Sequence, residues 1–310
     1  MNIVVRIKLS SKLKNHTSEI GYYSYTNRWH SLKKSNKMRK IKYLILISVF
    51  ILGCKNTPQY NDPIPKHDTF KIESEKVGET RTINVWTPIT YENSNDSFPV
   101  LYMPDGGIKE DFPHIANTLA KLVKEKSIKP IILVGIENTE RGRDLTGYSE
   151  TKEDEKYCPL SDGAKNFRAF ITQELILEIN SKYRTLNKKG IIGESLAGLF
   201  VMETFMQHPE SFDFYIAMDP SLWWNDHYLV RNANTILANF PDKKIKLWFA
   251  GSSLEKHKYS IARYTNELAE ILKNNAPNKL KWKYSYEPKE KHNTIFRATK
   301  EKALKWTLNE

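Results

Sequence analysis

Ser195 lies in the run Gly193-Glu194-Ser195-Leu196-Ala197-Gly198, between a β-branched stretch ending at Ile191-Ile192 and a stretch with helical spacing. Leu196, Leu199, Phe200 and Met206 share one apolar face of that helix. A strand that turns at once into a helix strains the serine backbone and lifts its hydroxyl above the sheet. Small residues at 193 and 197 permit so tight a turn. The helix N-terminus then aims free N–H groups at any oxyanion formed beside the serine. A serine hydroxyl is a poor nucleophile at neutral pH, so it needs a general base, and the base needs an orienting acid. Of the four histidines downstream, His208, His227 and His257 fall in a helix cap or in polar stretches. His292, between the last strand and the terminal helix, stands where the base belongs.

Two acids compete. Glu255 closes the run Gly251-Ser252-Ser253-Leu254-Glu255, and Asp219 follows the strand before it. Glu255 is preferred, because Asp219 stands closer to the wall of an acyl pocket. The oxyanion donors are expected to be the Leu196 N–H and one from the turn at Gly106-Gly107. Trp223-Trp224 is expected to wall an acyl or aromatic pocket, although paired tryptophans also fill cores well. The run Arg141-Gly142-Arg143-Asp144 has the reach to clamp a substrate carboxylate bidentately, with Arg143 as the pocket residue, or to form an internal Arg–Asp pair, which is the preferred use. No Gly-rich phosphate loop, His/Cys cluster at metal spacing or H-E-x-x-H run is found, so no cofactor or metal is expected.

Positioning such residues takes a sheet whose strands end side by side. Strand signals fall at 70–75, 81–87, 100–103, 131–136, 214–218, 245–250 and 280–286, and helical signals at 112–124, 167–183 and 295–308. Alternating units of this length predict a mostly parallel sheet covered by helices on both faces. In such sheets the site lies at the carboxyl ends of the strands. The polar segment 137–163 is too long for a simple connector and is expected to carry specificity.

The N-terminus tells a separate story. Met38-Arg39-Lys40-Ile41-Lys42 is basic, residues 43–53 are mostly apolar, and Gly53-Cys54 closes the run. Eleven residues cannot span a bilayer as a helix but suit a signal-peptide core. The Gly-Cys junction resembles a bacterial lipobox, which implies lipidation of Cys54. Segments 38–53 and 54–68 therefore read as a lipoprotein signal peptide and a tether, and 69–310 as the catalytic domain. Segment 1–37 lies upstream of a complete signal and reads as a non-native or unstructured extension, with Met38 the expected start. The chain of 310 residues carries a formal charge of +12. Segment 1–53 holds eleven basic residues and one acidic, and without it 37 basic face 35 acidic residues. The apparent basicity is mostly targeting sequence, so a nucleic-acid partner is not expected. With Cys54 lipidated, Cys158 has no partner, and no disulfide framework is expected.

Four segments in this order carry a resemblance: Pro99-Val100-Leu101-Tyr102-Met103-Pro104-Asp105-Gly106, Val134-Gly135-Ile136-Glu137-Asn138, Gly193 to Leu199, and Pro220-Ser221-Leu222-Trp223-Trp224. Together they resemble the esterase D-like branch of the α/β hydrolases. That branch includes S-formylglutathione hydrolases, enterochelin-type siderophore esterases, feruloyl and acetyl-xylan esterases and mycolyltransferases. The resemblance covers roughly 81–308. It implies an α/β-hydrolase fold, Ser195 as nucleophile, His292 as base, Gly106 and Leu196 near the oxyanion, and a small-molecule or glycan ester as substrate. Ala197 departs from the usual glycine of the elbow, and no sharp motif fixes the acid. Two readings stand beside ester hydrolysis: acyl transfer by the same fold, and a surface-binding lipoprotein without catalysis.

Overall fold

The computed structural model describes residues 61–254 and 261–309. The expected signal peptide, Cys54, Glu255 and His257 lie outside these residues. The described chain contains one eight-stranded sheet in the order β1-β2-β4-β3-β5-β6-β7-β8. Its strands are β1 (Asp68–Ser74), β2 (Glu79–Trp86), β3 (Phe98–Pro104), β4 (Ile132–Ile136), β5 (Thr185–Glu194), β6 (Phe214–Met218), β7 (Ile245–Gly251) and β8 (Leu280–Tyr286). β2 pairs antiparallel with both neighbours, and every other pairing is parallel. This is the α/β-hydrolase arrangement that the sequence implies.

The central strands read as continuous apolar runs because both faces are covered. β4 and β6 are buried at every position. Alternation along each strand divides their side chains between two cores. Val100, Tyr102, Tyr215 and Ala217 face one layer, while Leu101, Met103, Phe214, Ile216 and Met218 face the other. The second layer is closed by α1 (Phe112–Lys124) and the C-terminal helix Ile295–Leu308. The first is closed by helices from between β4 and β8. These are α2 (Arg141–Leu145), α3 (Gly163–Phe170), α4 (Ile176–Lys182), α5 (Leu196–Gln207), α6 (Trp224–Arg231), α7 (Ala233–Ala238) and α8 (Ile261–Asn275). A turn of π-helix, Ile171–Leu175, joins α3 to α4, so the helix expected at 167–183 begins one turn earlier. The C-terminal helix is α9.

Two expectations shift. β5 begins at Thr185, with a polar half, Leu186 to Lys188, that is solvent-exposed. Residues 61–67, expected to be tether, lie against the domain. Asp62 pairs with Arg297 of α9, Asn117 Nδ2 donates to the Pro63 carbonyl at 2.7 Å, and His67 packs edge-on against Phe112.

Candidate active site

Ser195 sits between the end of β5 and the first turn of α5 with φ 58° and ψ −117°. That left-handed backbone is costly for a residue with a Cβ and persists only where its surroundings enforce it. The enforcement is visible on both sides. The Ser195 N–H donates to the Met218 carbonyl at 3.0 Å, and its carbonyl accepts from the Ser221 N–H at 3.0 Å. A Cβ on Gly193 would lie 2.5 Å from the Ala197 carbonyl carbon, so the close crossing needs glycine. α5 is buried along almost its whole length, which anchors the turn to the core.

His292 follows β8 and reaches across the strand ends. Its Nε2 lies 2.9 Å from Ser195 Oγ, and its Nδ1 lies 2.7 Å from Asp219 Oδ2. Asp219 is fully buried. It also accepts from the Ser252 N–H at 2.9 Å and the Ser252 hydroxyl at 2.7 Å. Three donors thus converge on one carboxylate and fix the imidazole with Nε2 toward the serine. Asp219, not Glu255, is the acid that the described structure places on His292. The reason is strand order: β6 lies beside β5, with Met218 in register with Glu194, so the residue after β6 emerges next to the elbow. Burial opposes a charge on His292, but the Asp219 hydrogen bond, the Glu194 charge and the Asp219 charge outweigh it, against opposition from Arg141. The imidazole is held above its ordinary value of 6.5.

The backbone donors sort differently from expectation. As the first residue of α5, Leu196 leaves its N–H outside the helix ladder, at the positive end of the helix. The Gly106 N–H, in contrast, donates to the Ile136 carbonyl at 2.9 Å, so it is committed to the β3–β4 crossing and does not face an oxyanion. Gly106 is required for space: a Cβ there would lie 2.2 Å from the Ile136 nitrogen. The next donor of that turn, the Gly107 N–H, is bonded to Glu110 Oε2 at 2.6 Å.

The three expected pocket residues, Arg143, Trp224 and Trp223, also resolve. Arg143 is bound at Nε by Asp144 (2.8 Å) and at Nη2 by Glu79 (2.6 Å), beside the buried Arg81 that pairs with the same two acids. It is a structural ion pair, not a substrate clamp. Arg141, two residues earlier on the same short helix, instead turns to Asp105 with two bonds of 2.7 Å. Trp224 is buried and donates its indole N–H to the Gly147 carbonyl at 2.9 Å. It fills core and lines a cavity of about 310 Å³ whose lining includes Leu199 and Glu203 but no triad residue. Trp223 is half-buried and meets Tyr157 edge-on at 5.1 Å, two residues beyond the Ser221 that braces the elbow. Residues to which the sequence reading gave no role are Ser252, Asp105 and Glu194. Glu194 had a visible signal, a carboxylate ending the buried apolar half of β5 directly before the nucleophile.

Among the described residues, no cluster of three or more His, Cys, Asp or Glu side chains is arranged to hold a metal ion.

A left-handed nucleophile at a strand–helix turn, with a histidine and a buried aspartate in series behind it, defines an α/β hydrolase of the serine type. Comparison with known proteins agrees. The chain belongs to the putative esterase family, whose model matches residues 74–288. It is 29% identical over 176 residues to the ferri-bacillibactin esterase BesA of Bacillus subtilis, covering 52% of this chain and 61% of that protein. It is 25% identical over 247 residues to the apo-salmochelin esterase of Escherichia coli O6:H1, covering 74% of this chain and 76% of the relative. Among solved structures, an IroE-like serine hydrolase from Shewanella oneidensis superposes with a TM-score of 0.72 at 26% identity, covering 79% of this chain and 80% of its own.

Proposed function

We propose that this protein is a serine esterase that cleaves ester bonds of siderophore-type small molecules from a lipid-anchored position outside the cytoplasm. The observation that carries the esterase reading is the continuous relay Ser195–His292–Asp219, at 2.9 and 2.7 Å. His292 Nε2 takes the hydroxyl proton as Ser195 attacks the ester carbonyl, and buried Asp219 stabilises the resulting imidazolium. The negative charge on the carbonyl oxygen develops beside the Leu196 N–H at the N-terminus of α5. The imidazolium then protonates the leaving alcohol, leaving an acyl group on Ser195. Water activated by His292 releases it.

The substrate class is supported by the relatives, which are named a ferri-bacillibactin esterase, an apo-salmochelin esterase and a siderophore triacetylfusarinine C esterase. Trp223, two residues beyond the Ser221 that braces the elbow, and Tyr157, packed edge-on against it, add an aromatic surface suited to an aryl acyl group. Neither acyl transfer nor binding without turnover has an observation in its favour. Anchoring is supported by the order of basic start, apolar core and Gly53-Cys54.

Reaction with a fluorophosphonate probe tests the esterase reading. Ser195 is expected to be modified in the wild type and the probe to be rejected by Ser195→Ala. A folded wild type that is not modified contradicts the reading. Turnover of catecholate and hydroxamate siderophore esters, feruloyl esters and acetylated sugars, compared side by side, tests the substrate class. Preference for acetylated sugars would overturn it.

A further inference from the structure

The relay has one carboxylate that the mechanism above leaves without a task. Glu194 ends β5, directly before the nucleophile, and its Oε1 lies 3.7 Å from His292 Nε2. That is the nitrogen that receives the serine proton, opposite the Nδ1 that Asp219 holds. The distance is too long for a hydrogen bond and short enough for a charge interaction between two half-buried side chains. We propose that Glu194 is a positioning residue of the reaction, a second carboxylate that stabilises the His292 imidazolium from its Nε2 side while Asp219 stabilises it from Nδ1. This rests on the serine-esterase reading of the site.

Glu194 takes no proton from the reaction. The hydroxyl proton moves from Ser195 Oγ to His292 Nε2 and later to the leaving alcohol, and Glu194 acts on the charge in between. Its setting makes that action depend on pH. The groups facing it are His292 from the β8–α9 loop, Asp105 and Asp111 from the β3–α1 loop, and Arg141 from α2. Burial raises its pKa, Asp111 and Asp105 add to the rise, and His292 and Arg141 oppose it, leaving the carboxyl pushed up to about 7. Glu194 and His292 are therefore coupled, and a proton on one weakens the hold of the other. Arg141 is bound to Asp105 by two hydrogen bonds, which turns its charge partly away from Glu194.

Glu194→Gln keeps the shape and removes the charge. The rate of fluorophosphonate modification of Ser195, followed against pH, reports the His292 ionisation without needing the natural substrate. In Glu194→Gln the acid limb of that profile is expected to move to lower pH, and the plateau rate to fall about tenfold, because a non-bonded charge is worth less than a full oxyanion donor. A merely structural role would lower the rate equally at every pH and leave the limb in place. That result, or a limb moving upward, overturns the proposal. Should the variant not fold, a ¹⁵N-histidine titration of the wild type decides. The His292 signal is expected to show two inflections, one from Glu194, and a single inflection overturns the proposal. A wild type that the probe never modifies sinks the esterase reading instead, while the titration still settles whether Glu194 and His292 are coupled.

Discussion

Asp219 does at the residue scale what no surface carboxylate can do. It is fully buried, and every donor it meets is engaged with the histidine or with Ser252. Replacing it by Asn keeps the size but presents an amide to Nδ1, which favours the wrong tautomer. Asp219→Asn is expected to lower kcat about 10⁴-fold with the fold retained. Steady-state kinetics beside a circular dichroism spectrum would check this, and a loss under tenfold would return the role to another acid. The raised pKa of His292 gives a second expectation, with the sign fixed by the neutral form being the base. Activity should be lost as pH falls, through a midpoint above the 6.5 of an ordinary histidine. A pH–rate profile with its acid limb below 6 would contradict it. Ser195 and His292 were legible from sequence because both follow strand ends with unambiguous flanks. The acid was not, since Asp219 and Glu255 each follow a strand and only the strand order tells which is adjacent. Arg143 and Arg141 were indistinguishable for a related reason. Two residues apart on a helix point to different sides, and spacing alone does not say which side faces the site.

At the scale of elements, the segment 137–163, expected to carry specificity, is pinned and not free. Asp154 accepts from the Ser149 hydroxyl at 2.7 Å and from the Asn225 N–H at 2.8 Å. Asn225 Oδ1 in turn accepts from the Glu150 N–H at 3.0 Å. These bonds tie the segment to the first turn of α6, where Asn225, Asp226 and His227 all have left-handed backbone. Three such residues in succession are costly, and Asn and Asp bear that conformation best. Asp154→Ala leaves the buried Ser149 hydroxyl proton and the Asn225 N–H without this acceptor. It is expected to cost about 1–3 kcal/mol in urea unfolding and to raise KM more than it lowers kcat. An unchanged unfolding midpoint would show that the segment is held by other contacts. The length of this segment marked it as functional in the sequence, whereas its bonding was invisible because it depends on a left-handed turn some 70 residues later. The turn at Gly106 is similar. Its glycines were legible as a place of close approach, but what approaches is the β4 backbone, not substrate. Gly106→Ala is accordingly expected to fail at folding, read as loss of soluble protein, and not as a folded enzyme with reduced kcat.

The whole molecule joins a domain whose sheet order, paired cores and strand-end site follow the family to an N-terminus read from sequence alone. The fold was legible because buried parallel strands and amphipathic helices alternate with clear breaks. The start of β5 was missed because its first half is polar and exposed, so it lacks the apolar signal that marks its second half. The packing of residues 61–67 on α1 and α9 shortens any free tether to the residues before them. Anchoring at Cys54 predicts that the wild type partitions into detergent from whole cells and that Cys54→Ser is released in soluble form. Equal partitioning of the two would refute the lipid anchor without touching the enzyme reading. The central claim concerns covalent chemistry at Ser195, and intact-protein mass spectrometry during turnover of a p-nitrophenyl ester addresses it most directly. A burst of p-nitrophenol is expected, with a transient mass gain of one acyl group that maps to Ser195 and is absent from Ser195→Ala. Undiminished turnover by Ser195→Ala, or an acyl group on any other residue, would contradict it.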